Sequence, residues 1–247
     1  MEYKIIIDNL NKKFLRDYTK NEGILFRMLS FLNKGEKMAF SVLKDISFRV
    51  KSGEIYGVIG KTGSGKSTLL RIIAGIYKLD NGVIKTNGEA VYLTGFDHGI
   101  QRKLTMRDNI YLLGFLRGLS KKEINEKFEE IVNFSGLKEF LDAKVYQFST
   151  GMINRLSFSI TIFCIAHKNP DILLIDEVFS AAADMDFKEK SLRKMDELIK
   201  KGSSVILISH DLELIKKYCN KVILLENGEI IKIGKSQEVI DFYLKSL

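Results

Sequence analysis

One run of nine residues, GKTGSGKST at positions 60–68, constrains this chain more than any other feature. It follows the apolar stretch Glu54–Ile59 and leads into TLLRIIAGI, so strand, glycine-rich loop and helix come in immediate succession. Gly60, Gly65, Lys66 and Ser67 satisfy G-x-x-x-x-G-K-[ST], and Lys61, Thr62, Gly63, Ser64 and Thr68 complete the loop. Glycines let a backbone wrap a phosphate chain with successive N–H groups pointing inward. The following helix adds the positive end of its dipole. In such a loop the lysine reaches the β- and γ-phosphates and the hydroxyl of Ser67 ligates Mg²⁺.

Strand-like and helix-like runs alternate around this loop, which implies an α/β fold containing a parallel sheet. Tyr3–Ile7, Val42–Val50, Glu54–Ile59 and Val83–Thr86 read as strands, with turn signals at Asp80-Asn81-Gly82 and Asn87-Gly88. From about Leu104 to His167 the pattern is nearly all helical, with Ser120 and Glu123 forming a capping box for a helix to Phe134. Past Pro170, strand and helix alternate again: Asp171–Ile175 and Ser204–Ile208 as strands, and Asp186–Lys201 as a helix stopped by Gly202. A hairpin then turns at Asn227-Gly228, and a helix near Ser236–Leu244 follows it. A helical insert, about 94–167, is expected inside a core formed by about 1–93 and 168–247, all within one domain of 247 residues.

The helical insert contains a second anion-competent feature. FSTGM, Phe148–Met152, has the serine, glycine and following amphipathic helix of a helix start. Two further motifs end apolar strands. In DILLIDE, Asp176 is placed to hold Mg²⁺, and Glu177 to contact a water attacking phosphorus. In SSVILISHD, His210 is placed to bridge that water and the phosphate. His98 and His167 have no such context.

Composition narrows the class. No stretch reaches the ~18–20 apolar residues of a membrane span, and the N-terminal apolar run is too short for a signal peptide. Cys164 and Cys219 stand alone without ligand spacing, as expected of buried reduced thiols in a cytoplasmic protein. The formal charge of +8 suits nucleotides, nucleic acid or an anionic membrane surface, and equally suits lysine-rich solvated helices.

The ordered set GKTGSGKST, FSTGM, ILLIDE and ISHD resembles the ABC-type ATPases, from about Phe40 to Gly234. The family signature is usually of Leu-Ser-Gly-Gly-Gln type, and Thr150 and Met152 depart from it. With Arg155-Leu156-Ser157-Phe158, those departures look like the subfamily that exports lipid-linked polysaccharides such as O-antigens, capsules and teichoic acids. GIQRKLTMRDNIYLLG and DEVFSAAADMDFKEKS resemble blocks of the same subfamily. The resemblance implies a P-loop NTPase core with an antiparallel β subdomain and an inserted helical subdomain. It implies an ATPase using ATP and Mg²⁺ and working as a head-to-tail homodimer. Ser149, Thr150, Gly151 and Met152 of one copy would face the γ-phosphate on the Gly60–Thr68 loop of the other. It further implies a separate polytopic membrane permease carrying the lipid-linked polysaccharide, a peripheral place on the cytoplasmic face of the membrane, and no nucleic-acid partner. The alternatives are an ABC ATPase without a transporter that acts on ribosomes or DNA, an ABC exporter of another substrate, and a small P-loop kinase or GTPase.

Phe14 sits where the family places an aromatic that stacks on adenine, and it is equally placed as a core residue after the first strand. Gln101 matches the transporter-sensing glutamine by letter but lies late by spacing, nearer Leu104-Thr105 than expected, while Phe96 lies closer. The Asp184 region is one residue longer than the subfamily pattern. In residues 23–36, Ile24, Leu25, Met28, Leu29 and Leu32 recur at helical spacing, which fits a membrane-interface helix or a helix on the protein's own core. Some relatives carry a C-terminal sugar-binding domain. This chain ends soon after FYLKSL, so none is expected, and glycan recognition is expected elsewhere.

Overall fold

The computed structural model describes residues 2–16, 38–94, 99–177 and 185–246. Phe96, His98, Asp184 and the segment 23–36 lie outside the described residues. Two sheets form the frame. Strands β1 (Tyr3–Arg16), β2 (Met38–Lys51) and β4 (Asn81–Thr86) make an antiparallel sheet in the order β2-β1-β4. Strands β3 (Ile55–Ile59), β5 (Ala90–Thr94), β6 (Ile172–Asp176), β7 (Ser204–Ile208), β8 (Lys221–Glu226) and β9 (Glu229–Lys235) make a second sheet in the order β5-β6-β7-β3-β8-β9. All its pairings are parallel except that of β8 with β9.

Strands covered on both faces read as continuous apolar runs, and ILLID and SVILI are buried throughout. Side chains alternate across the sheet. Ile172, Leu174, Ile206, Ile208, Ile223 and Leu225 face the antiparallel sheet and helix α1 (Lys66–Ile73). Leu173, Ile175, Val205, Leu207, Val222 and Leu224 face the remaining helices. A one-residue slip in register would exchange these two faces, so the pattern fixes the sheet strongly.

The helical stretch comprises α2 (Met106–Leu116), α3 (Lys121–Ser135) and α4 (Thr150–Lys168), with two short 3₁₀ turns between α3 and α4. The capping box forms as expected: Glu123 N–H donates to Ser120 Oγ at 3.3 Å, and Ser120 N–H donates to Glu123 Oε2 at 2.6 Å. A second capping box, Thr105 with Asp108, opens α2. Helix α4 ends at Asn169 in the left-handed conformation, just before Pro170. The later helices are α5 (Met185–Lys200), α6 (Leu212–Tyr218) and α7 (Ser236–Lys245).

Some expectations shift. The first two strands run well beyond Tyr3–Ile7 and Val42–Val50, because long antiparallel pairing between them extends to Arg16 and Met38. Asn81-Gly82 is not a free turn: both residues belong to β4, at a register break against β1. The segment between α3 and α4 is not helical throughout. Hairpin turn Asn227-Gly228 has φ of 49° and 81°, as a type I′ connection needs.

Candidate nucleotide site

The loop from β3 to α1 is held open by backbone that only glycine adopts easily. Gly60 has φ of 145° and Gly65 of 106°. A Cβ on Gly60 would meet the Leu225 carbonyl oxygen at 2.0 Å, and one on Gly65 would meet the Val42 carbonyl oxygen at 2.9 Å. The β8–β9 turn supports the loop from below, with Gly228 N–H donating to Ser64 O at 3.2 Å. Lys66 is buried and folds back on the loop, its Nζ donating to Gly60 O at 2.8 Å and Lys61 O at 2.9 Å. Burial pulls its pKa below the ordinary lysine value, while Glu177 and Asp176 oppose that shift. Ser64 Oγ is buried with no hydrogen-bond partner among the described residues.

Strand β6 delivers Asp176 to the far side of the loop. Its carboxylate is buried and accepts from Ser67 Oγ at 3.1 Å through Oδ1 and from Tyr92 hydroxyl at 2.8 Å through Oδ2. Glu177, one residue on, has φ of 55°, a left-handed conformation that costs a non-glycine residue energy. Its amide donates to Ile208 O at 3.1 Å, which anchors that turn to the end of β7. His210, just past β7, places Nε2 at 2.8 Å from Glu177 Oε1. Residues from three strand ends thus meet across one phosphate-sized loop.

A cleft of about 550 Å³ opens over this loop. Gly63, Gly65, Lys66, Ser67, Glu177 and His210 line one side. Phe14, Phe40, Tyr77 and Arg71 line the other. Phe14 is therefore a wall residue rather than part of the buried core, with Phe40 at 6.1 Å and Tyr77 edge-on at 5.6 Å between ring centroids. Gln101 does not line the cleft; its backbone is bound to the buried Asn109 side chain.

Ser149 caps α4, its Oγ accepting from Met152 N–H at 3.2 Å. Ser149 and Thr150 are exposed, Gly151 and Met152 half-buried, and none of the four lines the cleft. The two anion-competent features of the chain are separate within one copy.

Sequence reasoning missed Arg71, Tyr92, Phe40 and Tyr77. Arg71 lies four residues after Ser67, on the same helix face, a signal that was available. Tyr92 lies in AVYLT, a strand too short and too apolar to stand out.

A metal ion at this loop would meet one hydroxyl and one carboxylate, both hard oxygen donors. Among the described residues there is no cluster of three or more His, Cys, Asp or Glu that could hold a metal. That donor set fits Mg²⁺, which binds through one or two carboxylates plus substrate phosphates.

The fold and its phosphate loop define a nucleotide-binding α/β protein of the P-loop class. The ABC transporter family model matches residues 43–180. The chain is 37% identical over 256 residues to the O-antigen export system ATP-binding protein RfbB of Klebsiella pneumoniae, covering the whole of both chains. It is 39% identical over 242 residues to the teichoic acids export ATP-binding protein TagH of Lactococcus lactis, and spans 51% of that relative's length. Among solved structures, a dimeric ATP-binding cassette in a post-hydrolysis state bound to ADP and Pi superposes with TM-score 0.71 at 21% identity, covering 94% of this chain and 98% of that one. The chain belongs to the ABC transporter family. Among the described residues no helix is long and apolar enough to cross a membrane.

Proposed function

We propose that this chain is the ATPase subunit of an exporter of lipid-linked polysaccharide, driving a separate polytopic permease from the cytoplasmic face of the membrane. The observation that carries the mechanism is the separation of the two anion-competent features. The Gly60–Thr68 loop lies in a cleft that Ser149–Met152 does not line, and that separation supports a second copy bringing the two together. The polysaccharide substrate is supported by full-length likeness to an O-antigen exporter subunit and by the half-length likeness to a teichoic acid exporter subunit. Nucleic acid has no place in this reading.

ATP enters with its phosphates over Gly60–Thr68 and its base toward Phe14. Lys66 Nζ exchanges the carbonyls of Gly60 and Lys61 for phosphate oxygens. Ser67 and Asp176 would hold Mg²⁺, which supplies charge neutralisation between the phosphates. Glu177 accepts a proton from, or orients, the attacking water, and His210 holds Glu177 in place at 2.8 Å. The helical subdomain, 94–167, presents Ser149, Thr150, Gly151 and Met152 to the partner's γ-phosphate. The core, 1–93 and 168–247, presents the loop. Charge-assisted hydrogen bonds contribute about 1.5–3 kcal/mol each, and those to the γ-phosphate are lost once hydrolysis has converted it to Pi and the Pi has left. ATP thus closes the homodimer and ADP loosens it, a ligand-biased two-state switch.

Glu177→Gln tests the scheme. General-base loss lowers turnover about 10²–10⁴-fold, and the variant should sediment as a dimer with Mg·ATP and as a monomer with Mg·ADP. Full ATPase activity in that variant removes Glu177 from the chemistry. A monomer at saturating Mg·ATP, with and without the permease, overturns the dimer. Export is read by deleting the gene: lipid-linked glycan should accumulate inside the cell.

A further inference from the structure

Strand β5 is the edge of the parallel sheet, and Thr94 at its end pairs with Asp176. Two residues earlier, Tyr92 turns toward α1 and packs, half-buried, on the apolar cluster beneath the phosphate loop. Phenylalanine would fill that space equally well. Only the hydroxyl goes further, donating to Asp176 Oδ2 at 2.8 Å. The other oxygen, Oδ1, lies beside Ser67 Oγ at 3.1 Å. Rotation of an aspartate carboxylate about its last bond is soft and two-fold, so an unrestrained Asp176 would present either oxygen or neither squarely. A donor on Oδ2 removes that freedom and leaves Oδ1 on the Ser67 side.

The phenol is itself held. The Arg71 guanidinium acts electrostatically on it, and the same guanidinium sits 5.8 Å from the Tyr77 ring centroid. Tyr77 meets Phe14 edge-on at 5.6 Å. A continuous set of contacts therefore runs from the aromatic wall of the cleft, through Arg71 and Tyr92, to the buried carboxylate.

We propose that Tyr92 is a positioning residue that fixes Oδ1 of Asp176, the oxygen beside Ser67, toward a divalent cation bound with nucleotide, with Arg71 steadying the phenol from the aromatic side. The proposal rests on the nucleotide-site reading above.

The test uses the full chain as wild type, Tyr92→Phe and Tyr56→Phe. Tyr56 is a buried tyrosine of the same cluster whose hydroxyl donates to Arg49 O at 3.0 Å, remote from Asp176 in the hydrogen-bond network. Mn²⁺ serves as the probe, titrated by electron paramagnetic resonance with a non-hydrolysable ATP analogue. A fluorescent ATP analogue in EDTA reads metal-free binding, and thermal melts read the fold. Outer-shell partners of metal ligands typically change affinity about 10–100-fold, so Tyr92→Phe should weaken Mn²⁺ binding at least about tenfold. Nucleotide binding in EDTA should stay within about twofold, because the phosphate loop keeps its own donors. Tyr56→Phe should leave Mn²⁺ binding unchanged. Wild-type-like Mn²⁺ affinity in Tyr92→Phe overturns the proposal. So does an equal loss in EDTA, or a melt below assay temperature, since either makes the hydroxyl a general support of the fold. A wild-type chain that binds no Mn²⁺-nucleotide overturns the nucleotide-site reading, and the proposal with it.

Discussion

Ser149 is where helix stability and dimerisation can be separated by one atom. Its Oγ caps α4 by accepting from Met152 N–H at 3.2 Å. Replacing such a cap with alanine costs about 0.5–2 kcal/mol, and each kcal/mol shifts the melting temperature of a chain this size about 2–4 °C. In the proposed dimer the same hydroxyl faces the partner's γ-phosphate. One charge-assisted bond contributes about 1.5–3 kcal/mol. With two sites per dimer the loss is about 3–6 kcal/mol, or about 10²–10⁴-fold in dimer dissociation. Ser149→Ala alone would leave the two effects mixed. Ser149→Asp does not: aspartate caps as well as serine and suits a helix N-terminus. Opposite a phosphate it repels, by about 4 kcal/mol for unit charges 4 Å apart at an effective dielectric near 20. In the Glu177→Gln background, Ser149→Asp should therefore melt at or above its parent yet remain monomeric in Mg·ATP by sedimentation equilibrium. A Ser149→Asp variant that melts normally and dimerises as tightly as its parent would refute the placement of the α4 N-terminus at the partner's nucleotide.

Other outcomes follow from the same contacts. Glu123 is held down to about 2 by the Ser120 side chain first, then the Ser120 amide and His167, against a usual value of 4.5. A depressed carboxylate stabilises above its unfolded pKa, so the urea-stability gap between wild type and Glu123→Gln should be full above pH 4.5 and close as pH falls toward about 2. A gap that is constant with pH would contradict this. Burial pushes the thiols of Cys164 and Cys219 up to about 11 and about 12. Both should resist iodoacetamide at pH 8 in the native protein and react in denaturant, as read by mass spectrometry.

The sequence alone determined what short-range chemistry encodes. The Gly60–Thr68 loop, the Ser120 capping box, the Asn227-Gly228 turn and the buried runs of β6 and β7 each depend on a few adjacent residues. Glycine φ freedom, a side chain reaching the third amide ahead, or unbroken apolarity specifies them without regard to the rest of the chain. The tertiary structure decided what meets what. Tyr92 and Asp176 are 84 positions apart, and Ser67 and Asp176 are 109 apart, yet all three share one carboxylate. The meeting of Tyr92 with Asp176 follows from sheet order, which sets β5 beside β6 in parallel register with Thr94 opposite Asp176. Phe14 became a wall of the cleft rather than a core residue because β1, still paired with β2, runs on past the end of β4 and delivers the ring beside Phe40 and Tyr77. The length of β1 and β2 escaped local reading because long antiparallel pairing, not the propensity of Asn9-Leu10-Asn11, carries the strand through its irregularities.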